Sequence, residues 1–275
     1  MVETVYVLAA VTLVLALAGG FLPIFSKWGS NPERLKISTG IAAGILLASA
    51  MMVVIPEGFE LATTAPASGG DEFGPLVLGG AILAGFLMML ILEGSGIGHA
   101  VHEEHHDHSH EHGHGHVHHQ TSTWMLVLGL SLHSAADGLA IGAAAAGGVV
   151  AVTALVTFAV LVHKVPAAFS LGVFSLHERR ERKDVMRDVV LFSLATPVMI
   201  LLSFHAFAGV EVQVIGLAML FAAGTFLYVA TVDTLPDIHN SETGKTALKH
   251  VLIGATILVL IFFAAYASGM LEHVH

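Results

Sequence analysis

Residues 123–146 read TWMLVLGLSLHSAADGLAIGAAAA. At about 1.5 Å per residue a helix of this length crosses the roughly 30 Å hydrocarbon core of a bilayer. The stretch is apolar, yet it carries His133 and Asp137. An ionisable group at the bilayer centre costs several kcal/mol, so such groups are functional candidates by default. His133 lies about 15 Å from the inner end of this helix. The i,i+4 spacing projects His133 and Asp137 from one face.

Outward from there, the Gly147–Gly148 link is too short for anything but a reversal, and 149–177 returns through the bilayer. This next span contains LVHKVPAAFSLG, with His163 about 21 Å from its outer end. Antiparallel neighbours bring the two polar clusters to similar depth. Imidazole and carboxylate together suit Zn²⁺ and similar divalent metals. Pro166 removes one helix hydrogen bond and is expected to kink the span beside His163, freeing a carbonyl as a further ligand. Gly138, Gly142 and the alanine run permit close packing or sliding of helices. The competing reading is a structural buried network in which Asp137 pairs with Lys164.

The whole chain supports a membrane reading. It has 275 residues, 55% hydrophobic and only 12% charged, and a mean hydropathy of +0.80. A soluble domain carries about 25% charged residues. Eight spans are expected, at 4–25, 37–59, 75–98, 123–146, 149–177, 186–208, 212–235 and 248–270. The fold class is therefore all-α: a polytopic membrane protein forming one domain over 1–275. A formal charge of −10 excludes nucleic acid as a partner, since binding it needs a basic patch. The absence of cysteine excludes disulfides, thiolate metal sites and thiol nucleophiles.

Ten of the 11 cations lie beside three connections. Lys27, Arg34 and Lys36 follow the first span. Arg179, Arg180, Arg182, Lys183 and Arg187 lie between the fifth and sixth, and Lys245 and Lys249 between the seventh and eighth. The positive-inside rule makes these connections cytoplasmic and puts both termini outside. Lys164 alone lies within a span. A faint repeat is also present: Gly44 with Pro56–Glu57 in the second span, and Gly224 with Pro236–Asp237 after the same interval. The two spans run in opposite directions, so this is the pattern of an inverted repeat, an architecture of many secondary transporters. Chance matching between glycine-rich helices is the alternative.

Residues 99–119 read HAVHEEHHDHSHEHGHGHVHH. The connection over 99–120 cannot build a core, and is expected to be disordered and cytoplasmic. Its His102, His105, His106, His108, His110, His112, His114 and His116 are expected to bind transition metals, because neutral imidazole suits zinc, copper and nickel. Acids also flank the membrane. Glu57 and Glu60 end the second span on the outside, and Asp233, Asp237 and His239 end the seventh on the inside. Glu93, His99 and His177 also lie near the inner surface. Acids at a mouth attract cations. Glu57 is the favoured entrance residue; Asp233, Asp237 and His177 are the exit candidates.

The eight spans, the His-rich third connection and the strings HSAADGLAIGAAAA, HKVPAAFSLG and LFAAGTFLYVATVDTLPD resemble the ZIP (ZRT/IRT-like) metal transporter family. The likeness is to the branch that includes Golgi-associated eukaryotic members. That resemblance covers essentially the whole chain. It implies transport of Zn²⁺, and of related ions such as Fe²⁺, Mn²⁺ or Cd²⁺, toward the cytoplasm. It also implies a site between the fourth and fifth spans, a homodimer, and an elevator-like motion of spans one, four, five and six against the rest. His133, Asp137 and His163 match the family's ligands. Ser134 stands where many relatives have Asn, and Ala167 where many have Glu. Lys164 falls at a second-metal ligand position, and the sixth span, with Thr196, Pro197 and His205, offers no Glu. These departures imply a single metal, with Lys164 as a built-in cation.

Three other classes remain open at this point. A cation diffusion facilitator is expected to have six spans and a soluble C-terminal domain. An intramembrane zinc hydrolase needs a general base beside its three ligands. A metal sensor would transport nothing. The compact, cysteine-free chain suits a prokaryotic envelope.

Overall fold

The computed structural model describes residues 2–26, 32–64, 73–95, 123–232 and 244–267. Among them there is helix and no strand. In chain order the helices are α1 (Val2–Phe25), α2 (Pro32–Ser49), α3 (Ile55–Thr63), α4 (Pro75–Gly94), α5 (Thr123–Ala146), α6 (Val150–Glu178), α7 (Arg182–Ala206), α8 (Val212–Val232) and α9 (Gly244–Ala267). A π-helical turn, Ala50–Val54, joins α2 to α3 without breaking the rod. The two helices and the turn thus make one span, and the described residues contain eight helical segments long and apolar enough to cross a membrane. The all-α, eight-span expectation holds.

The ends differ in an instructive way. α7 starts at Arg182 rather than at 186, and α9 at Gly244 rather than at 248. Both extensions are charged first turns that a hydropathy window ignores. In α7, Asp184 sits in the first turn, where the helix dipole favours an anion, and pairs with Arg187 at 3.2 Å. α4 stops at Gly94 rather than at 98, and the Ser95 hydroxyl donates to the Ile91 carbonyl at 2.6 Å. The expected His-rich connection and Asp233, Asp237 and His239 lie outside the described residues.

The helices sort into two groups. α1, α5, α6 and α7 pack chiefly on one another, while α2 packs on α9, and α4 and α3 on α8. The groups meet where α2 crosses α6 and α5 crosses α8. In the second group two backbone-to-backbone crossings have the same construction. A Cβ on Gly44 would strike Val251 O and Ala255 N, and one on Gly254 would strike Ile41 O. Likewise a Cβ on Gly224 would strike Ile82 O and Phe86 N, and one on Gly85 would strike Phe221 O. In each pair the struck residues lie at the same offsets around the partner glycine. The sequence pairing of Gly44 with Gly224 therefore extends to their partners, Gly254 and Gly85, which is the relation an inverted repeat requires.

An apolar cluster fills the half of the interface between the groups that lies toward the C-terminus of α5 and the N-terminus of α6. It includes Ala50, Val53 and Val54 of the π-turn, Ile141 and Ala144 of α5, Val156 and Val160 of α6, and Met219 and Phe226 of α8. The cluster lies on the side of His133 and His163 toward the C-terminus of α5 and the N-terminus of α6.

Candidate metal site

α5 presents His133 and Asp137 one turn apart, and α6 presents His163 and Lys164. All four are buried. One ligand atom each from His133, Asp137 and His163 lies within 4.8 Å of the others. His163 Nε2 is 3.3 Å from Asp137 Oδ1, and His133 Nε2 is 3.7 Å from the same oxygen. The two spans thus converge, and the structure brings His133, Asp137 and His163 together.

The imidazole of His163 is oriented by its own helix. Its Nδ1 lies 2.8 Å from the Ala159 carbonyl. A carbonyl can only accept, so Nδ1 carries a proton, and Nε2 is the nitrogen turned toward the carboxylate. This orienting bond is what metal-ligating histidines commonly have behind them. His133 Nδ1 has no partner among the described residues.

The second carboxylate oxygen is used differently. Lys164 Nζ donates to Asp137 Oδ2 at 3.3 Å and closely to Thr196 Oγ1. Thr196 Oγ1 in turn donates to the Ser134 carbonyl at 2.8 Å. The ammonium also lies 4.6 Å from the centre of the Phe192 ring, a cation–π distance. The two readings offered by the sequence therefore coexist on one carboxylate: Oδ2 belongs to a buried ion pair and Oδ1 faces the imidazoles. Ser134 is fully buried; its Oγ has no partner among the described residues, and its carbonyl is engaged.

α7 completes the setting, which the sequence did not show. Gly138 and Gly142 were expected to allow close packing, and the helix that exploits them is α7: a Cβ at Gly138 would lie 2.8 Å from Met199 Cβ, and one at Gly142 2.6 Å from Ile200 O. This approach delivers Thr196 and Phe192 to Lys164. A further buried network was also missed. Asp188 of α7 accepts from Ser175 Oγ at 2.7 Å, Arg179 Nε at 2.8 Å and Arg179 Nη2 at 3.2 Å. It clasps the C-terminal end of α6 to the N-terminal part of α7; its place just beyond the charged first turn of α7 was the only signal.

Other expected residues lie apart. Glu57 is buried in the first turn of α3, just beyond the π-turn. His177 is exposed in the last turn of α6, about 21 Å along the helix from His163. Pro166 sits within an uninterrupted α6. It lines a cavity of about 110 Å³ together with His133, His163, Ala167, Thr39, Glu93 and Tyr228, among others. The lining comes from the halves of α2, α6 and α8 that end at cation-bearing connections and from the halves of α4 and α5 that end at the His-rich connection. Both imidazoles are part of its lining.

The model of the ZIP zinc transporter family matches residues 2–118 and 95–262. The chain belongs to the ZIP family. Zinc transporter ZIP9 of Xenopus tropicalis is 31% identical, the match covering 93% of this chain and 94% of that protein. ZIP9 of Macaca fascicularis is 42% identical over 48% of this chain and 61% of its own. Human zinc transporter ZIP2 is 27% identical over 93% and 95%. As a member of the ZIP family the chain is a multi-pass integral membrane protein and not an enzyme, and the hydrolase, facilitator and sensor readings are not favoured. These relatives are vertebrate proteins, so they lend no support to a prokaryotic membrane.

Proposed function

We propose that the chain carries Zn²⁺ toward the cytoplasm, one ion at a time, through the site formed by His133, Asp137 and His163. The observation that supports this most is the convergence of the His133 and His163 Nε2 atoms on Asp137 Oδ1 beside a cavity that both imidazoles line. That cavity faces the cation-bearing connections, which the positive-inside rule assigns to the cytoplasm. The conformation is then inward-facing, with both termini outside and the apolar plug of α2, α3, α5, α6 and α8 closing the outer path. Opening that path requires α1, α5, α6 and α7 to move against the other helices, the grouping their packing already displays. Glu57 at the outer end is the candidate entrance residue. Asp233, Asp237 and His177 are candidates at the exit, and the His-rich connection is a cytoplasmic metal-binding tract.

Fe²⁺, Mn²⁺ and Cd²⁺ are further candidate substrates, because the same nitrogen and oxygen donors accept them. Lys164 holds the site to a single metal by occupying the far side of Asp137. The assembly proposed is a homodimer in the bilayer. Uptake of Zn²⁺, Cd²⁺, Mn²⁺ and Fe²⁺ into vesicles containing the reconstituted protein tests the reading. Zinc uptake that His133→Ala abolishes supports it; uptake unaffected by His133→Ala removes the site from the pathway.

A further inference from the structure

Among the described residues, the cavity below the site has one carboxylate in its lining, Glu93, in the last turn of α4. It is half-buried, and its Oε2 accepts from the Tyr228 hydroxyl at 2.6 Å. Tyr228 is itself fixed, buried on α8 and edge-on to Phe86 of α4 with ring centres 5.1 Å apart. Both residues belong to the helix group opposite the one that carries His133, Asp137 and His163. Apart from His133 and His163, the rest of the described lining is mainly apolar, with the hydroxyls of Thr39 and Ser170 as its other polar groups. A divalent ion leaving the imidazoles toward the connections therefore crosses a cavity in which one negative charge, on the facing wall, can replace what it gives up.

We infer that Glu93 is a release station for the metal: a second, weaker site on the stationary helices that takes the ion from the His133–Asp137–His163 site. The inference rests on the transport reading above. Its physical basis is that conduction needs binding that is favourable at successive points yet weak at each. A carboxylate oxygen is a suitable ligand for zinc or cadmium, and one carboxylate on an apolar wall binds weakly by itself. The Tyr228 hydroxyl orients the carboxylate and leaves it its charge.

The test uses the full chain in proteoliposomes with Zn²⁺ and Cd²⁺ as probes. Glu93→Gln keeps an acceptor for the Tyr228 hydroxyl and removes only the charge. It is expected to lower the maximal uptake rate about tenfold, equal to about 1.4 kcal/mol of barrier, while KM stays within about twofold of the wild type. Glu93→Asp retains most of the rate, and Tyr228→Phe loses less than Glu93→Gln. A merely structural clasp between α4 and α8 predicts the reverse order, with Glu93→Gln harmless and Tyr228→Phe damaging; that result overturns the inference, as does a raised KM with an unchanged maximal rate. A second measurement needs no variant. Anomalous scattering from the wild-type chain soaked in cadmium is expected to show a weaker peak against the Glu93 carboxylate, and its absence overturns the proposal. Failure of the underlying reading looks different: the wild type then carries neither ion, or His133→Ala carries both.

Discussion

Replacing Lys164 by Met tests how the site is balanced. The structure puts the ammonium 3.3 Å from Asp137 Oδ2, while the metal is expected against Oδ1 at about 2 Å. The ammonium and a doubly charged ion are then about 6 Å apart, a repulsion of about 5 kcal/mol at an effective dielectric of about 20. The empty site also loses an ion pair, and leaving a buried charge without its partner destabilises a fold by about 3–5 kcal/mol. Both effects act in the same direction on binding. The metal-free variant is expected to melt at a lower temperature than the wild type, and zinc to raise that temperature by more. Solvent in the cavity weakens the repulsion, so a gain in zinc affinity of at least about tenfold, or 1.4 kcal/mol, is the conservative expectation. Competition against a chelator, in a protein lacking residues 99–119, measures it without interference from the histidine tract. Slower turnover should accompany the tighter binding, since a firmly held ion leaves late. Unchanged or weaker zinc binding in a folded Lys164→Met protein refutes the reasoning.

Deleting 99–119 should remove most high-capacity metal binding, measured by equilibrium dialysis, and leave substantial uptake, because the proposed ligands lie in the membrane. Asp188→Ala should lower stability by about 1–3 kcal/mol, read by thermal melting, because it strands the Arg179 and Ser175 donors; the partly exposed Arg179 keeps the loss below that of a fully buried pair. Gly44→Val should disrupt the crossing of α2 on α9 and Gly224→Val that of α8 on α4 to a similar degree, each costing at least about 1–3 kcal/mol of packing. A large difference between the two would count against equivalent crossings. Cysteines at Ser68 and Asn240 should label from opposite faces of the membrane, Ser68 from outside.

The spans were legible because length and hydropathy act on every residue of a helix in a bilayer. Their charged ends were not, since Arg182–Arg187 and Gly244–Lys249 fold as helix outside the apolar window. The π-turn at Ala50–Val54 has no sequence signature of its own; it is set by how α2 and α3 pack on α8. His133, Asp137 and His163 stood out because ionisable groups are costly in a membrane, and the short Gly147–Gly148 link made their spans neighbours. Thr196 did not stand out, because a threonine costs little in a helix and its role depends on α7 pressing against Gly138 and Gly142. Half of the repeat was visible as Gly44 and Gly224. Its other half, Gly254 and Gly85, became visible only through the backbones they touch. Asp188 was hidden for the same reason: its partners, Ser175 on α6 and Arg179 just past the end of that helix, lie across a turn whose geometry the sequence does not specify.

Anomalous diffraction at the zinc edge, from crystals of the wild-type protein lacking residues 99–119, tests the central claim most directly. One peak per protomer is expected between α5 and α6, within about 2.0–2.2 Å of His133 Nε2, His163 Nε2 and an Asp137 oxygen, with Lys164 beyond it. Two bridged peaks at that position, or a peak bound elsewhere with these three residues empty, would contradict the account.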